Sequence, residues 1–160
     1  MKALTIILLF AGCAACARAQ TSANLEQEKA ELLRLHNSDR EAHFKTDVDL
    51  LLENSPEEFI SVSRGKISRS SEADARKMFT QYFREAKYYE WDDLEEPIIR
   101  ISKDASMAWM ITRVRVRRVQ KNAEGAEKEE KFVYAGIMTY EKRDGRWVRV
   151  ANVSTMEQPS

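Results

Sequence analysis

Apolar residues recur at helical spacing through the first half of the chain and alternate with polar ones through the second. From Thr21 to about Phe44, Leu25, Leu32, Leu33 and Leu35 mark the buried side of a long helix. Ser22 or Asn24 can cap it, and Glu26 and Glu28 suit its positive dipole end. Thr46-Asp47 restarts the pattern as the cap of a short helix through Leu50, Leu51 and Leu52. Asn54-Ser55-Pro56 ends it, because the residue before proline is pushed out of the helical region. Phe59 to Ser63 then reads as a strand with a turn at Arg64-Gly65 and a short return through Ile67. Ser71 with Asp74 resembles a capping box for a third helix carrying Met78, Phe79, Tyr82, Phe83 and Ala86.

Beyond Pro97 the period changes to two. Ile98–Ser102 and Met107 to about Gln120 are expected to pair across the turn at Lys103-Asp104-Ala105-Ser106. The Glu- and Lys-rich run from Lys121 to Lys131 is expected as a solvated hairpin loop. Phe132 to Ser154 reads as two long strands joined at Asp144-Gly145, where glycine supplies the positive φ of a tight hairpin turn. Cross-strand register about that turn puts Tyr134, Met138, Tyr140, Trp147, Arg149, Ala151 and Val153 on one face. Such a face suits either packing on the helices or a homodimer interface. The predicted fold class is α+β: a bent antiparallel sheet wrapped around a long N-terminal helix and two shorter helices.

Composition narrows the setting. Met1-Lys2, the apolar run Ala3–Ala17 and the small-x-small triplet Ala17-Arg18-Ala19 form a secretory signal, leaving residues 20–160 as one domain. The run is too short to span a bilayer, which takes about 20 residues. A secreted or periplasmic location follows, and Phe10-Ala11-Gly12-Cys13 offers lipidation at Cys13 as a weaker alternative. Cleavage after Ala19 removes both cysteines, which leaves no disulfide, thiol chemistry or Cys-ligated metal. Without Lys2 and Arg18, 24 of the 26 basic residues face 26 acidic ones, a net charge of −2. That balance gives no case for nucleic acid or an anionic membrane as partner.

The candidate chemistry lies on the first helix. At 100° per residue, Leu32, His36, Asp39, Arg40, His43 and Asp47 share one arc, an unusual load of ionisable groups on a buried side. His43 and Asp47, one turn apart, are placed to hydrogen bond, with Asp47 fixing the imidazole tautomer and leaving the other nitrogen as base or donor. The structural alternative is that Asp47 caps the second helix and the carboxylates pair with arginines. No metal or other cofactor is expected, because His36 and His43 lie two turns, about 10 Å, apart and no third histidine exists. Tyr82, Phe83, Trp91 and Trp109 are candidates for a pocket wall or for ordinary core. Arg113, Arg115 and Arg117 form a strand face that is either solvated or an anion site.

The order of these elements resembles the nuclear transport factor 2-like superfamily, and within it the SnoaL-like domains. The residues that carry the likeness are His43 and Asp47, Phe59-Ile60-Ser61-Val62-Ser63-Arg64-Gly65, Tyr82-Phe83 and Trp91. Further along come Ile99-Arg100-Ile101-Ser102, Ala108-Trp109, Ala135-Gly136 and the Glu141–Val150 hairpin. The resemblance implies a cone whose mouth lies between the long helix and the concave sheet. The superfamily includes isomerases, cyclases, dehydratases and plain binding domains, so fold alone decides no chemistry. Ketosteroid isomerase-like members use a carboxylate base with tyrosine and protonated-acid donors. Tyr82, Tyr88, Tyr89, Asp92 and Asp93 fall in no matching pattern. Many SnoaL-like relatives carry a histidine on the last strand where this chain has Asn152, which cannot exchange protons.

The leading expectation is an exported domain that binds a small, largely apolar molecule in its cone. Its ligand would meet His43, Asp47, Arg40, Tyr82, Phe83, Trp91, Trp109 and Asn152. The alternatives are an isomerase, cyclase or dehydratase using Asp47 and His43, and a dimeric accessory protein with a vestigial pocket.

Overall fold

The computed structural model describes residues 12–157. Residues 1–11, the start of the expected signal, lie outside them. The helices are α1 (Gly12–Lys45), α2 (Val48–Leu52) and α3 (Glu72–Glu85). The strands are β1 (Glu58–Ser63), β2 (Lys66–Ser71), β3 (Ala86–Asp93), β4 (Ile98–Ile101), β5 (Met107–Lys121), β6 (Glu127–Arg143) and β7 (Arg146–Glu157). None of the described helices is long and apolar enough to cross a membrane.

α1 ends in a tight reversal. Thr46 takes a left-handed φ of 54°, its N–H donates to the His43 carbonyl, and the Asp47 N–H donates back to the Ala42 carbonyl at 2.9 Å. That pair of bonds satisfies carbonyls the helix end would otherwise orphan. Asp47, now in extended backbone, caps α2 by accepting from the Leu50 N–H at 3.0 Å. Ser71 caps α3 in the same way, with Asp74 as its partner.

The seven strands form one sheet in the order β2-β1-β7-β6-β5-β3, with β4 on the same edge of β5 as β3. It is a mixed sheet rather than a purely antiparallel one, because β1 runs parallel to β7. The charged run after β5 is also more ordered than its composition implied. β5 continues to Lys121 and β6 starts at Glu127, since Lys121 pairs with Glu127, Arg118 with Glu130 and Arg117 with Glu129 across the ladder. Arg115 and Arg117 also meet Glu90, so these two members of the arginine row are neutralised.

Two bulges decide which residues face the helices. Tyr89 is the extra residue in β3, since Tyr88 pairs with Arg118 and Glu90 with Arg117. Val150 is the extra residue in β7, since Tyr140 pairs with Arg149 but Thr139 with Ala151. Without them, residues three apart would point to opposite sides of the sheet. With them, Tyr88 and Trp91 both face inward, as do Arg149 and Asn152. The expected hairpin face is corrected accordingly: Tyr134, Met138, Tyr140, Trp147 and Arg149 turn toward the helices, while Ala151 and Val153 are displaced to the outside by the Val150 bulge.

Inside, Leu32 and Leu35 of α1 pack on Met110, Met138, Tyr140 and Trp147, and Ala42 packs on a second cluster with Leu51, Phe83, Tyr88 and Val116. Outside, register builds one continuous row from six strands: Ile98, Ile111, Ile137, Val153, Val62 and Ile67. It is a β-branched aliphatic stripe, and Ile98, Ile111, Val153 and Ile67 in it are exposed to solvent.

Candidate functional site

Between the helices and the concave side of the sheet lies a cavity of about 420 Å³. That is within the usual range for small-molecule sites, about 300–1,000 Å³. Its walls come from α1 (Asp39, His43), the α2 region (Leu51, Leu52), α3 (Met78, Phe79), Phe59 of β1 and Trp91 of β3. Tyr134, Met138, Arg149 and Asn152 form the sheet side, and Ser55, Ser61, Ser68, Ser70 and Ser71 make one flank hydroxylated. Ser61 and Ser68 are direct cross-strand partners, so the serine flank is built by register.

One polar contact in its wall is a partly buried ion pair. Arg149 Nη1 donates to Asp39 Oδ1 at 2.9 Å, and Nη2 donates to the Leu51 carbonyl at 3.4 Å. Burial alone would raise the Asp39 carboxyl, but Arg149 and then His43 outweigh it and hold Asp39 below its ordinary value. For Arg149 burial works against the charge, and Asp39 again reverses the sign, leaving the guanidinium more firmly protonated.

His43 is buried one turn beyond Asp39. Its Nδ1 lies 2.7 Å from the Asp39 carbonyl oxygen, which can only accept, so Nδ1 carries the proton. Nε2 has no hydrogen-bond partner among the described residues. The ring stacks at 4.0 Å on Trp91 with a 32° tilt, and Tyr88 and Phe83 meet it edge-on at 5.0 and 5.5 Å. Burial lowers the His43 pKa, with Arg149 and Arg118 adding to the effect and Asp39 opposing it. The result is a neutral imidazole whose lone pair is on Nε2. Burial likewise raises the Tyr134 hydroxyl, so it stays protonated. The Asn152 Oδ1 is buried without a hydrogen-bond partner.

The structure brings together His43, Trp91 and Asn152 on the cavity. Other expected residues lie elsewhere. Asp47 neither lines the cavity nor bonds to His43: its carboxylate is occupied as the α2 cap, and the carbonyl of Asp39 takes its place on the imidazole. Arg40 is half exposed, paired with Asp92 at 3.2 Å beyond the wall. Tyr82 and Phe83 sit behind the cavity in the core, Tyr82 accepting from Arg118 and Phe83 supporting the His43 ring. Trp109 is on the outer face of the sheet, because alternation in β5 buries Ala108 and Met110 instead. His36 lies two turns before His43 on the same face of α1, bound to Asp93 at 2.9 Å and away from this cavity. Among the described residues no three His, Cys, Asp or Glu side chains are grouped to hold a metal ion.

Asp39 pairs with an arginine of the sheet, as the structural alternative had it, but neither it nor Arg149 was expected as a cavity residue, and the serine flank was not singled out at all. The signal for Arg149 was available: a lone charge on an otherwise apolar hairpin face needs a buried partner. The serines left no comparable mark, since Ser61, Ser68 and Ser70 look like any half-exposed strand residues.

No protein-family model matches the chain, and no curated protein matches it. Solved structures do match. A nuclear transport factor 2-like protein with a cystatin-like fold from Novosphingobium aromaticivorans superposes with a TM-score of 0.66 at 12% identity, over 90% of this chain and 91% of that one. One from Cytophaga hutchinsonii gives 0.65 at 12% identity, over 81% and 98%. A ketosteroid isomerase-like protein from Erwinia carotovora atroseptica gives 0.62 at 11% identity, over 81% and 96%. At such identities the likeness concerns backbone architecture alone. With its long helix laid across a curved sheet and a cavity between them, the chain has the nuclear transport factor 2-like fold.

Proposed function

We propose that this chain is exported with removal of residues 1–19 and that its cavity binds a small, largely apolar molecule. The observation that carries the reading is the cavity itself: about 420 Å³ walled by Phe59, Phe79, Trp91, Met78 and Met138, with its polar groups gathered on the serine flank and around His43. Binding is favoured over isomerase, cyclase or dehydratase chemistry by the placement of the carboxylates. Asp47 is a helix cap, and Asp39 is held in an ion pair, so His43 has no free carboxylate beside it. Native mass spectrometry of the protein exported by its own host tests the reading directly. The expected spectrum has a polypeptide beginning at Gln20 and a non-covalent adduct. A Ser61→Phe variant, which narrows the cavity, is expected to lose that adduct while keeping its circular dichroism. No adduct, together with no thermal stabilisation by any apolar small molecule, would refute it.

A second reading concerns the opposite face of the sheet. The stripe Ile98, Ile111, Ile137, Val153, Val62 and Ile67 suits the isologous pairing of two copies, in which like surfaces meet across a twofold axis. Light scattering is expected to give twice the monomer mass for the native chain. The Ile111→Lys, Val153→Lys double variant is expected to give the monomer mass. A native monomer at micromolar concentration would exclude this reading.

A further inference from the structure

We propose that the cavity selects an uncharged ring compound bearing a hydroxyl group, a phenol or an alcohol, whose O–H donates to His43 Nε2. This rests on the binding reading above and specifies its ligand. His43 offers a ligand an acceptor, set across the cavity from serine hydroxyls that can donate or accept. The Asp39 carbonyl takes the His43 Nδ1 proton at 2.7 Å, which leaves the Nε2 lone pair as the polar feature that His43 offers a ligand. A ligand O–H answers that nitrogen, whereas a carbonyl or an ether oxygen set against it meets a lone pair with lone pairs.

Charge excludes the neighbouring classes. A carboxylate would need a cation, but Arg149 is spent on Asp39 at 2.9 Å and on the Leu51 carbonyl at 3.4 Å. An amine would need an anion, but Asp39 is spent on Arg149, and Glu72 lies exposed at the rim beside Arg76. Inserting either ion beside His43 breaks or crowds a partly buried pair whose net charge is zero. The apolar walls at Phe59, Phe79 and Met138 supply the surface for a ring. The imidazole itself is not free to reorient, because Trp91 lies 4.0 Å from it and Tyr88 and Phe83 hold its edges.

Calorimetric titration of the exported chain near neutral pH with 2-naphthol, 2-methoxynaphthalene and 2-naphthoate tests this. The three share one ring system and differ in having a neutral donor, no donor, or a negative charge. The expected result is that 2-naphthol binds at least ~tenfold tighter than either analogue, the discrimination of a site built around one hydrogen bond. His43→Phe is expected to bring 2-naphthol down to the affinity of 2-methoxynaphthalene, with the ether unchanged. Equal binding of the naphthol and the ether by the native chain would overturn the inference while leaving apolar binding intact. So would a preference for naphthoate, or a naphthol preference that survives in His43→Phe. If none of the three binds, the inference falls with the binding reading. The naphthol-to-ether comparison in the native chain needs no variant, so a poorly folding His43→Phe does not weaken the test.

Discussion

Asp39 and Arg149 stand 110 residues apart in the chain and meet as a partly buried ion pair, Nη1 donating to Oδ1 at 2.9 Å. The contact joins the C-terminal part of α1 to the last strand and lines one side of the cavity. The two side chains keep 14% and 20% exposure, so water screens part of their attraction and part of the cost of burying them. Removing either partner is therefore expected to destabilise the fold by about 1–3 kcal/mol, because the survivor loses its charged hydrogen-bond partner. The paired replacement Asp39→Leu with Arg149→Met is expected to recover most of the loss. Urea unfolding of Asp39→Ala, Arg149→Ala and the paired variant measures all three. A paired variant as unstable as the sum of the single ones would mean that the ion pair is not the source of the effect.

His43 gives the protein a dependence on pH with a defined sign. Its folded pKa is lowered from 6.5, first by burial and then by Arg149 and Arg118, against the pull of Asp39. Asp39 of α1, Arg149 of β7, Arg118 of β5 and the Tyr88 ring of β3 are the charged or titratable groups around it. In the unfolded chain the imidazole takes a proton at about its ordinary pKa of 6.5, and in the fold it does so only at lower pH. The contribution is therefore whole above pH 6.5 and is lost as pH falls through the folded pKa. Asp39, also lowered because Arg149 outweighs burial, adds a second loss below 3.8 with the same sign. Comparing the native chain with His43→Gln by urea midpoint, pH by pH, isolates the first effect. The stability difference should stay level above 6.5 and shift against the native chain on acidification. A shift in its favour would mean that the folded pKa is raised.

Much of this architecture is legible from residue periodicity, and the reasons the rest is not are local. The α1 stripe is the clearest case: Leu32, Leu35, His36, Ala42 and His43 are all buried, at the 3–4 spacing that marks a helix face. The same wheel could not place Arg40 or Asp47. Arg40 is at the edge of the arc, where a long side chain reaches Asp92 outside, and α1 stops before Asp47. On the sheet the rule of two fails at Tyr89 and Val150. Nothing in a single sequence marks those as bulges, yet they are what brings Trp91 beside Tyr88 and Asn152 beside Arg149. The cavity is thus concentrated where simple alternation breaks down. Asn152 was named from the resemblance, which compares whole chains, bulges included, and not from alternation.

A second tether fixes the other half of α1. The Trp147 indole N–H donates to Glu28 Oε2 at 2.7 Å, and Lys142 binds the other carboxylate oxygen. Trp147 is 2% exposed and lies in the cluster with Leu32 and Tyr140, so the bond is made at the edge of the core. Trp147→Phe keeps most of the apolar contact and deletes the donor. The expected cost is about 1–3 kcal/mol, typical of a hydrogen bond to a charged group. Because the bond holds the middle of α1 to the β6–β7 hairpin, limited proteolysis should also show faster cutting before Leu32. Lys142→Met should cost less, since Lys142 is more exposed than Trp147 and its removal leaves the indole bond to Glu28 in place. A Lys142→Met loss equal to that of Trp147→Phe would assign the tether to charge rather than to the indole.

Gly136 is required by a close approach, not by its backbone angle. A methyl group at this position would stand 2.7 Å from the Tyr134 hydroxyl and 2.8 Å from the Val153 carbonyl oxygen. The Tyr134 ring lies along the concave side of β6 over this gap, and it is also a wall of the cavity. In Gly136→Ala the tyrosine must swing away or β7 must shift, and overpacking of this kind typically costs about 1–3 kcal/mol. The two contacts can be separated. Adding Tyr134→Phe removes the hydroxyl and relieves the first clash, but the Val153 carbonyl belongs to the sheet ladder and cannot yield. The double variant should therefore recover part of the lost stability and not all of it. Full recovery would show that the tyrosine alone demands the glycine, and no loss in Gly136→Ala would show that the sheet can open at this point without penalty.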